Sequence, residues 1–169
     1  MLRLLLMRHG KAEPFEGELS DFDRALAPRG RGAAALIGNH IGRADLAPDR
    51  VLCSPSTRTR QTASTVIEEL SDRPDIAFPP KLYNASTGIF IEQIQQFGGN
   101  ANTLLVVGHN PATEEATELL RRIEDSPIQP TGDFPTAALA VFEFAVADWP
   151  AIKPRSGRLT AFVRPRSLE

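Results

Sequence analysis

The 169-residue chain is predicted to fold as an α/β three-layer sandwich, with a mainly parallel sheet and helices on both faces. Two nearly continuous apolar runs, 2–7 and 103–107, read as parallel strands covered on both sides, because a strand with one wet face would alternate. Stretches with helical spacing of apolar residues lie between the strand candidates, and such alternation calls for crossover connections. The strand candidates 137–144 and 158–164 are joined by a link too short for a helical crossover, so that pair should run antiparallel.

In chain order, the first strand, 2–7, leads into Arg8, His9 and Gly10. Pro28 and Gly30 open a helix over about 29–41, with Ala33, Leu36, Ile37 and Ile41 on one stripe. The second strand, 50–53, leads to Ser54 and Pro55, and Pro55 suits the first turn of a helix running to about Leu70. A short strand at 76–78 precedes a helix over 88–97, in which Ile91, Ile94 and Phe97 recur at helical spacing and Gly98-Gly99 form the stop. The fourth strand, 103–107, delivers Gly108-His109-Asn110-Pro111, and Pro111 begins a helix through Ile123 whose Leu119, Leu120 and Ile123 face inward. Residues 125–135, rich in Pro and polar side chains, read as a surface loop. The whole reads as one domain over 1–167, with Leu168 and Glu169 taken as a terminal addition outside the fold.

A hydrophobic content of 41% and a charged content of 24% fit a soluble globular protein. The net charge of −2 argues against a general grip on nucleic acid or an anionic membrane, so any anion site must be a local cluster. Cys53 is the only cysteine, which excludes an intrachain disulfide and a thiolate metal cage, and inside an apolar strand it reads as core. No basic leader with a cleavage site precedes the first strand, and no apolar run approaches the ~20 residues of a membrane span. The expectation is a cytoplasmic protein without nucleic-acid or membrane partners.

In open α/β sheets, ligands bind beyond the carboxyl ends of the strands. Three such ends carry Arg8-His9-Gly10, Ser54-Pro55-Ser56-Thr57-Arg58-Thr59-Arg60-Gln61-Thr62 and Gly108-His109-Asn110-Pro111. Two imidazoles and two guanidiniums around one crevice make a receptor for a tetrahedral dianion, because arginine presents forked donors matched to phosphate oxygens. Gly10 would let the backbone approach that anion closely.

These three motifs, in this order at strand ends, resemble those of the histidine phosphatase (phosphoglycerate mutase-like) superfamily. Asp23-Arg24-Ala25-Leu26-Ala27-Pro28-Arg29-Gly30 resembles the D-R-P-L-T-x-x-G stretch of its short SixA-type branch, the phosphohistidine phosphatases, with Ala25 where a Pro is more usual. The resemblance implies a phosphoglycerate mutase-like fold. It implies His9 as a nucleophile that becomes phosphohistidine, Arg8 and Arg58 as holders of phosphate oxygens, and His109 as a donor to the transferring group. It places Arg24 in the pocket, and it implies no metal and no cofactor. Ser54 would support Arg58 or the phosphate, or else serve as a helix N-cap. Asn110 would orient its loop or touch ligand. Arg24 also reads as a solvated loop charge, His40 as a partly exposed helix residue, and Glu114 and Glu115 as stabilisers of a helix N-terminus.

Larger relatives place a carboxylic acid after the third strand to protonate an alcohol leaving group, and this chain has no Asp or Glu between Asp75 and Glu92. The acidic loop Glu13, Glu16, Glu18, Asp21 and Asp23 could reach the site, with no one member singled out. A phosphorylated imidazole departs more readily than an alkoxide, since the free group has a pKa near ~6.5. The expected activity is therefore removal of phosphoryl from phosphohistidine in a protein, such as a histidine phosphotransfer domain. A phosphomonoesterase of small metabolites and a non-catalytic phosphate-binding module are the alternatives.

Overall fold

The computed structural model describes residues 1–128 and 132–169, so part of the expected 125–135 loop lies outside the described residues. Six strands form one sheet in the order β3-β2-β4-β1-β5-β6. They are β1 (Leu2–Arg8), β2 (Arg50–Cys53), β3 (Asp75–Ala77), β4 (Thr103–Gly108), β5 (Leu139–Phe144) and β6 (Arg158–Val163). The first four are mutually parallel; β5 runs antiparallel to β1 and to β6, as the short connection requires.

Strand alternation divides the core. Leu4 and Leu6 of β1 join Leu104 and Val106 of β4 on one face, while Leu5 and Met7 join Leu105 and Val107 on the other. The first face is covered by α3 (Thr87–Phe97) and α4 (Ala112–Leu120), with Trp149 beside them. The second is covered by α1 (Pro28–Arg43) and α2 (Thr57–Glu68). Both faces of β1 and β4 are therefore dry, which is why these strands read as unbroken apolar runs. Gly99, just past α3, adopts φ +61, the left-handed conformation that ends a helix at little cost in glycine.

Several elements depart from the sequence reading. The buried stripe of α1 is Ala34, Ile37, Gly38 and Ile41; Ala33 and Leu36 lie on its margin, because α1 must face α2 as well as the sheet. Pro55 stands before α2 rather than in its first turn, and Ser56 takes the N-cap position. α4 ends at Leu120, since Arg121 turns to extended backbone and pairs with Gly157, which leaves Ile123 58% exposed instead of inward. Glu114 and Glu115 make tertiary bonds besides sitting in the first turn of α4: Glu114 Oε1 accepts from Phe134 N at 2.9 Å, and Glu115 accepts from Thr87 Oγ1. Leu168, taken as outside the fold, packs against the α1–α2 core. Cys53 is fully buried, and burial pushes its thiol up to about 12.

Candidate active site

β1 and β4 lie side by side with Arg8 opposite Gly108, and Cys53 of β2 opposite Val107. From β1 the chain passes to β2 on one side, and from β4 to β5 on the other, so the crevice between their carboxyl ends is the topological switch point. His9 and His109 emerge there with ring centroids 5.4 Å apart and planes at 60°. Arg58, in the first turn of α2, brings Nη2 to 3.3 Å from His109 Nδ1. Arg8, Arg24 and Arg58 all act electrostatically on His9.

His9 Nδ1 is 2.7 Å from Gly10 O. A carbonyl only accepts, so Nδ1 carries the proton and Nε2 keeps its lone pair. The ring is 9% exposed, and burial followed by the charges of Arg58, Arg8 and Arg24 pushes its pKa down to about 4, against the opposing Gly10 bond. His9 is thus a neutral imidazole of fixed tautomer at neutral pH.

His109 is held the opposite way round. A guanidinium only donates, so Nδ1 accepts from Arg58, and Nε2–H donates to Ser54 Oγ at 2.8 Å. Burial first, then His9 and Arg58, push its pKa down to about 3. Ser54 therefore orients a site histidine, and the N-cap role belongs to Ser56.

Arg8 Nη1 and Asn110 Nδ2 both donate to Phe134 O, at 3.0 and 3.1 Å, so one carbonyl aligns two expected site residues. Asn110 Oδ1 is buried and has no hydrogen-bond partner among the described residues. Burial lowers the pKa of Arg8, opposed by Glu114 and Asp133. Gly10 has a packing reason of its own: a Cβ there would sit 2.7 Å from Gly30 O, and one on Gly30 would sit 2.2 Å from Lys11 O. The Gly10 N–H donates to Thr62 Oγ1 at 3.0 Å, so close approach to the start of α1 explains this glycine without an anion. Arg24 donates to Asp21 Oδ1 at 2.9 Å and to Glu13 O at 3.0 Å.

Sequence reasoning leaves four side chains here without an assigned role. Gln61 Oε1 accepts from Leu26 N at 2.7 Å, and Thr62 Oγ1 both accepts from Gly10 N and donates to Arg58 O, so the last two motif residues tie α2 to the chain after β1. Asp21 is the loop acid that reaches the crevice: Oδ2 accepts from Arg58 Nη2 at 3.0 Å and from Tyr83 OH at 2.7 Å. Tyr83, the only tyrosine, packs edge-on against His109 with centroids 5.5 Å apart. Composition narrows the acid to one loop; nothing in the sequence singles out Tyr83. Among the described residues no group of His, Cys, Asp and Glu is arranged to hold a metal ion.

Comparison with known proteins agrees with this geometry. The family model of the histidine phosphatase superfamily (branch 1) matches residues 4–123. An uncharacterized protein of Mycobacterium tuberculosis is 41% identical over 165 residues, covering 95% of this chain and 100% of its own length. One from Mycobacterium leprae is 30% identical over 166 residues, with the same coverage of 95% and 100%. Among solved structures, a candidate phosphohistidine phosphatase SixA from Agrobacterium tumefaciens superposes with a TM-score of 0.79 at 28% identity, covering 97% of this chain and 98% of that one. A protein histidine phosphatase SixA complexed with tungstate has the same fold, with a TM-score of 0.80 at 24% identity and coverage of 99% and 100%. Motifs, sheet topology and comparisons converge: the chain belongs to branch 1 of the histidine phosphatase superfamily and is a phosphatase of its SixA type.

Proposed function

We propose that this enzyme hydrolyses phosphohistidine in a protein, by way of a phosphoryl group carried on His9. The observation that carries the reading is the 2.7 Å bond from His9 Nδ1 to Gly10 O, which leaves Nε2 bare in a site whose burial and arginines keep the ring neutral. The free ring nitrogen of the substrate phosphohistidine takes a proton from solvent, and Nε2 attacks phosphorus as the N–P bond breaks and neutral imidazole departs. Water then attacks phospho-His9, the N–P bond breaks, and inorganic phosphate leaves with His9 neutral again. Arg8 and Arg58 hold the oxygens on which charge is spread, with Arg24 at the rim. His109 gives up its 3.3 Å contact with Arg58 when the phosphoryl group claims that guanidinium; with the Ser54 hydroxyl turned to donate to Nε2, the neutral ring carries its one proton on Nδ1 and donates it to the same group. Ser54 keeps His109 oriented, while Gly10 and Asn110 shape the loops around the anion. No step calls for a metal or a cofactor.

The substrate class follows from the leaving group. An alkoxide needs a proton donor and a phosphorylated imidazole needs far less help, since its conjugate acid has a pKa near ~6.5. Likeness to candidate SixA phosphohistidine phosphatases at 28% and 26% identity supports the same substrate class. A phosphorylated phosphotransfer protein is the proposed partner. No helix among the described residues is long and apolar enough to cross a membrane, and a cytoplasmic setting suits the single buried thiol. The test compares kcat/KM for a phosphohistidine protein, a phosphohistidine peptide and sugar phosphates, with rapid quenching of labelled substrate. Preference for phosphohistidine and acid-labile label on the wild type but not on His9→Ala are the expected results. A sugar phosphate turned over as efficiently as phosphohistidine overturns the substrate assignment, and label retained by His9→Ala overturns the nucleophile.

A further inference from the structure

Resting on the phosphatase reading above, we propose that Asp21 is an internal counterion of the phosphoryl site: its carboxylate holds Arg24 and Arg58 whenever phosphate does not, competes with phosphate for them, and so favours product release. Every contact of the side chain is to a donor. Oδ1 accepts from Arg24 Nη1 at 2.9 Å, and Oδ2 accepts from Arg58 Nη2 at 3.0 Å and Tyr83 OH at 2.7 Å. The main-chain oxygen of Asp21 takes Arg58 Nη1 at 2.7 Å, so both terminal nitrogens of the buried guanidinium face this one residue. Carboxylate and phosphate offer the same acceptors to a guanidinium, and an arginine engaged by one is less available to the other.

The position suits exchange. Asp21 opens a three-residue turn, Asp21–Asp23, and its side chain is 42% exposed while that of Arg58 is 8% exposed. The acid can swing outward, and the arginine stays. A single guanidinium nitrogen separates Oδ2 from the His109 ring, near enough for a carboxylate to repel a bound dianion. Asp23 does no such work, since its Oδ2 accepts from Ser20 Oγ at 2.7 Å.

The same contacts deny Asp21 the role of proton donor. The Tyr83 hydroxyl, Arg24 and Arg58 hold its carboxyl well below the usual carboxylate range, and burial and the Asp21 carboxylate raise the Tyr83 phenol. The acid that reaches the crevice is thus ionised at neutral pH, and the proton between it and Tyr83 stays on the phenol. Leaving groups that need no proton are the ones such a site favours.

The test is Asp21→Asn, which keeps the shape and removes the charge. Calorimetry with inorganic phosphate at low salt should show binding ~10-fold tighter than in the wild type, with product inhibition strengthened to match. Across a series of aryl phosphates of graded leaving-group pKa, the slope of log kcat/KM should be the same in both enzymes. Unchanged or weaker phosphate binding means that Asp21 merely buttresses Arg58 and overturns the proposal. So does a steeper slope in the variant, which marks a lost proton donor. If Asp21→Asn does not fold, Asp21→Ser should give the same sign. A wild type with no turnover on any phosphorylated substrate refutes the phosphatase reading, while the phosphate calorimetry still decides the role of Asp21.

Discussion

A cavity beside α1 and the crevice at His109 are both lined with cations, and they differ in what those cations can do. Beside the start of α1 is a cavity of about 560 Å³ lined by Lys11, Arg29, Leu36, Pro135, Arg164 and Arg166. The crevice at His109 is about 250 Å³, lined in part by Arg58, Leu82, Asn110 and Pro111. In the larger cavity Lys11, Arg29 and Arg166 are exposed, so water screens their charge and their side chains are free to move. In the smaller one Arg58 is buried, both its terminal nitrogens are committed, and the two imidazoles beside it are pushed to about 4 and about 3. Volume marks room for a ligand, whereas desolvated groups that fix one another mark chemistry.

His9→Ala is expected to have the largest effect. We expect a loss of at least ~10⁴-fold in kcat/KM on a phosphohistidine peptide, because His109, the other imidazole at the crevice, has both ring nitrogens engaged. Measurable turnover within ~10-fold of the wild type would place the nucleophile elsewhere. Arg58→Lys should cost ~10²-fold despite its retained charge, since a point ammonium cannot reproduce the fork that faces Asp21 and His109. A drop much smaller than this would mean that net charge matters more than fixed geometry.

Ser54→Ala should act more mildly. It removes the partner of His109 Nε2–H, and a loss of ~10-fold in kcat with little change in KM is expected. The pH profile tests desolvation directly. The His9 nucleophile must be neutral, and its pKa lies at about 4 instead of near ~6.5, so kcat/KM per substrate dianion should hold down to about pH 5 and fall only near 4. An acid limb near 6.5 would mean that the ring is solvated. The smallest effect belongs to the larger cavity: Lys11→Ala with Arg166→Ala should change kcat/KM on phosphohistidine peptide by less than ~2-fold, because exposed charges contribute little.

Much of the fold and half of the site are legible in the linear sequence, for one physical reason: periodicity and strand ends are local properties. The apolar runs at 2–7 and 103–107 announce strands dry on both faces, and whatever follows such a strand is carried to the crevice. His9, Ser54 and His109 follow their strands directly, so no knowledge of packing is needed to bring them together. Helix limits are less local. Nothing in the spacing of α4 says that Arg121 will leave the helix to pair with Gly157, and so Ile123 faces water.

Tertiary structure alone decided the partners of the site. Which of five loop acids reaches the arginines depended on where the chain after β1 meets α2 and the turn after β3, contacts that span 37 positions for Arg58 and 62 for Tyr83. The carbonyl that aligns Arg8 lies 126 positions away and belongs to a phenylalanine, whose side chain carries no polar signal at all. Residue type and spacing determine which groups arrive at the crevice. Their tautomers, their charge states and their counterion were settled by distant backbone and side-chain atoms, because hydrogen bonds act through space and burial is a property of the packed whole.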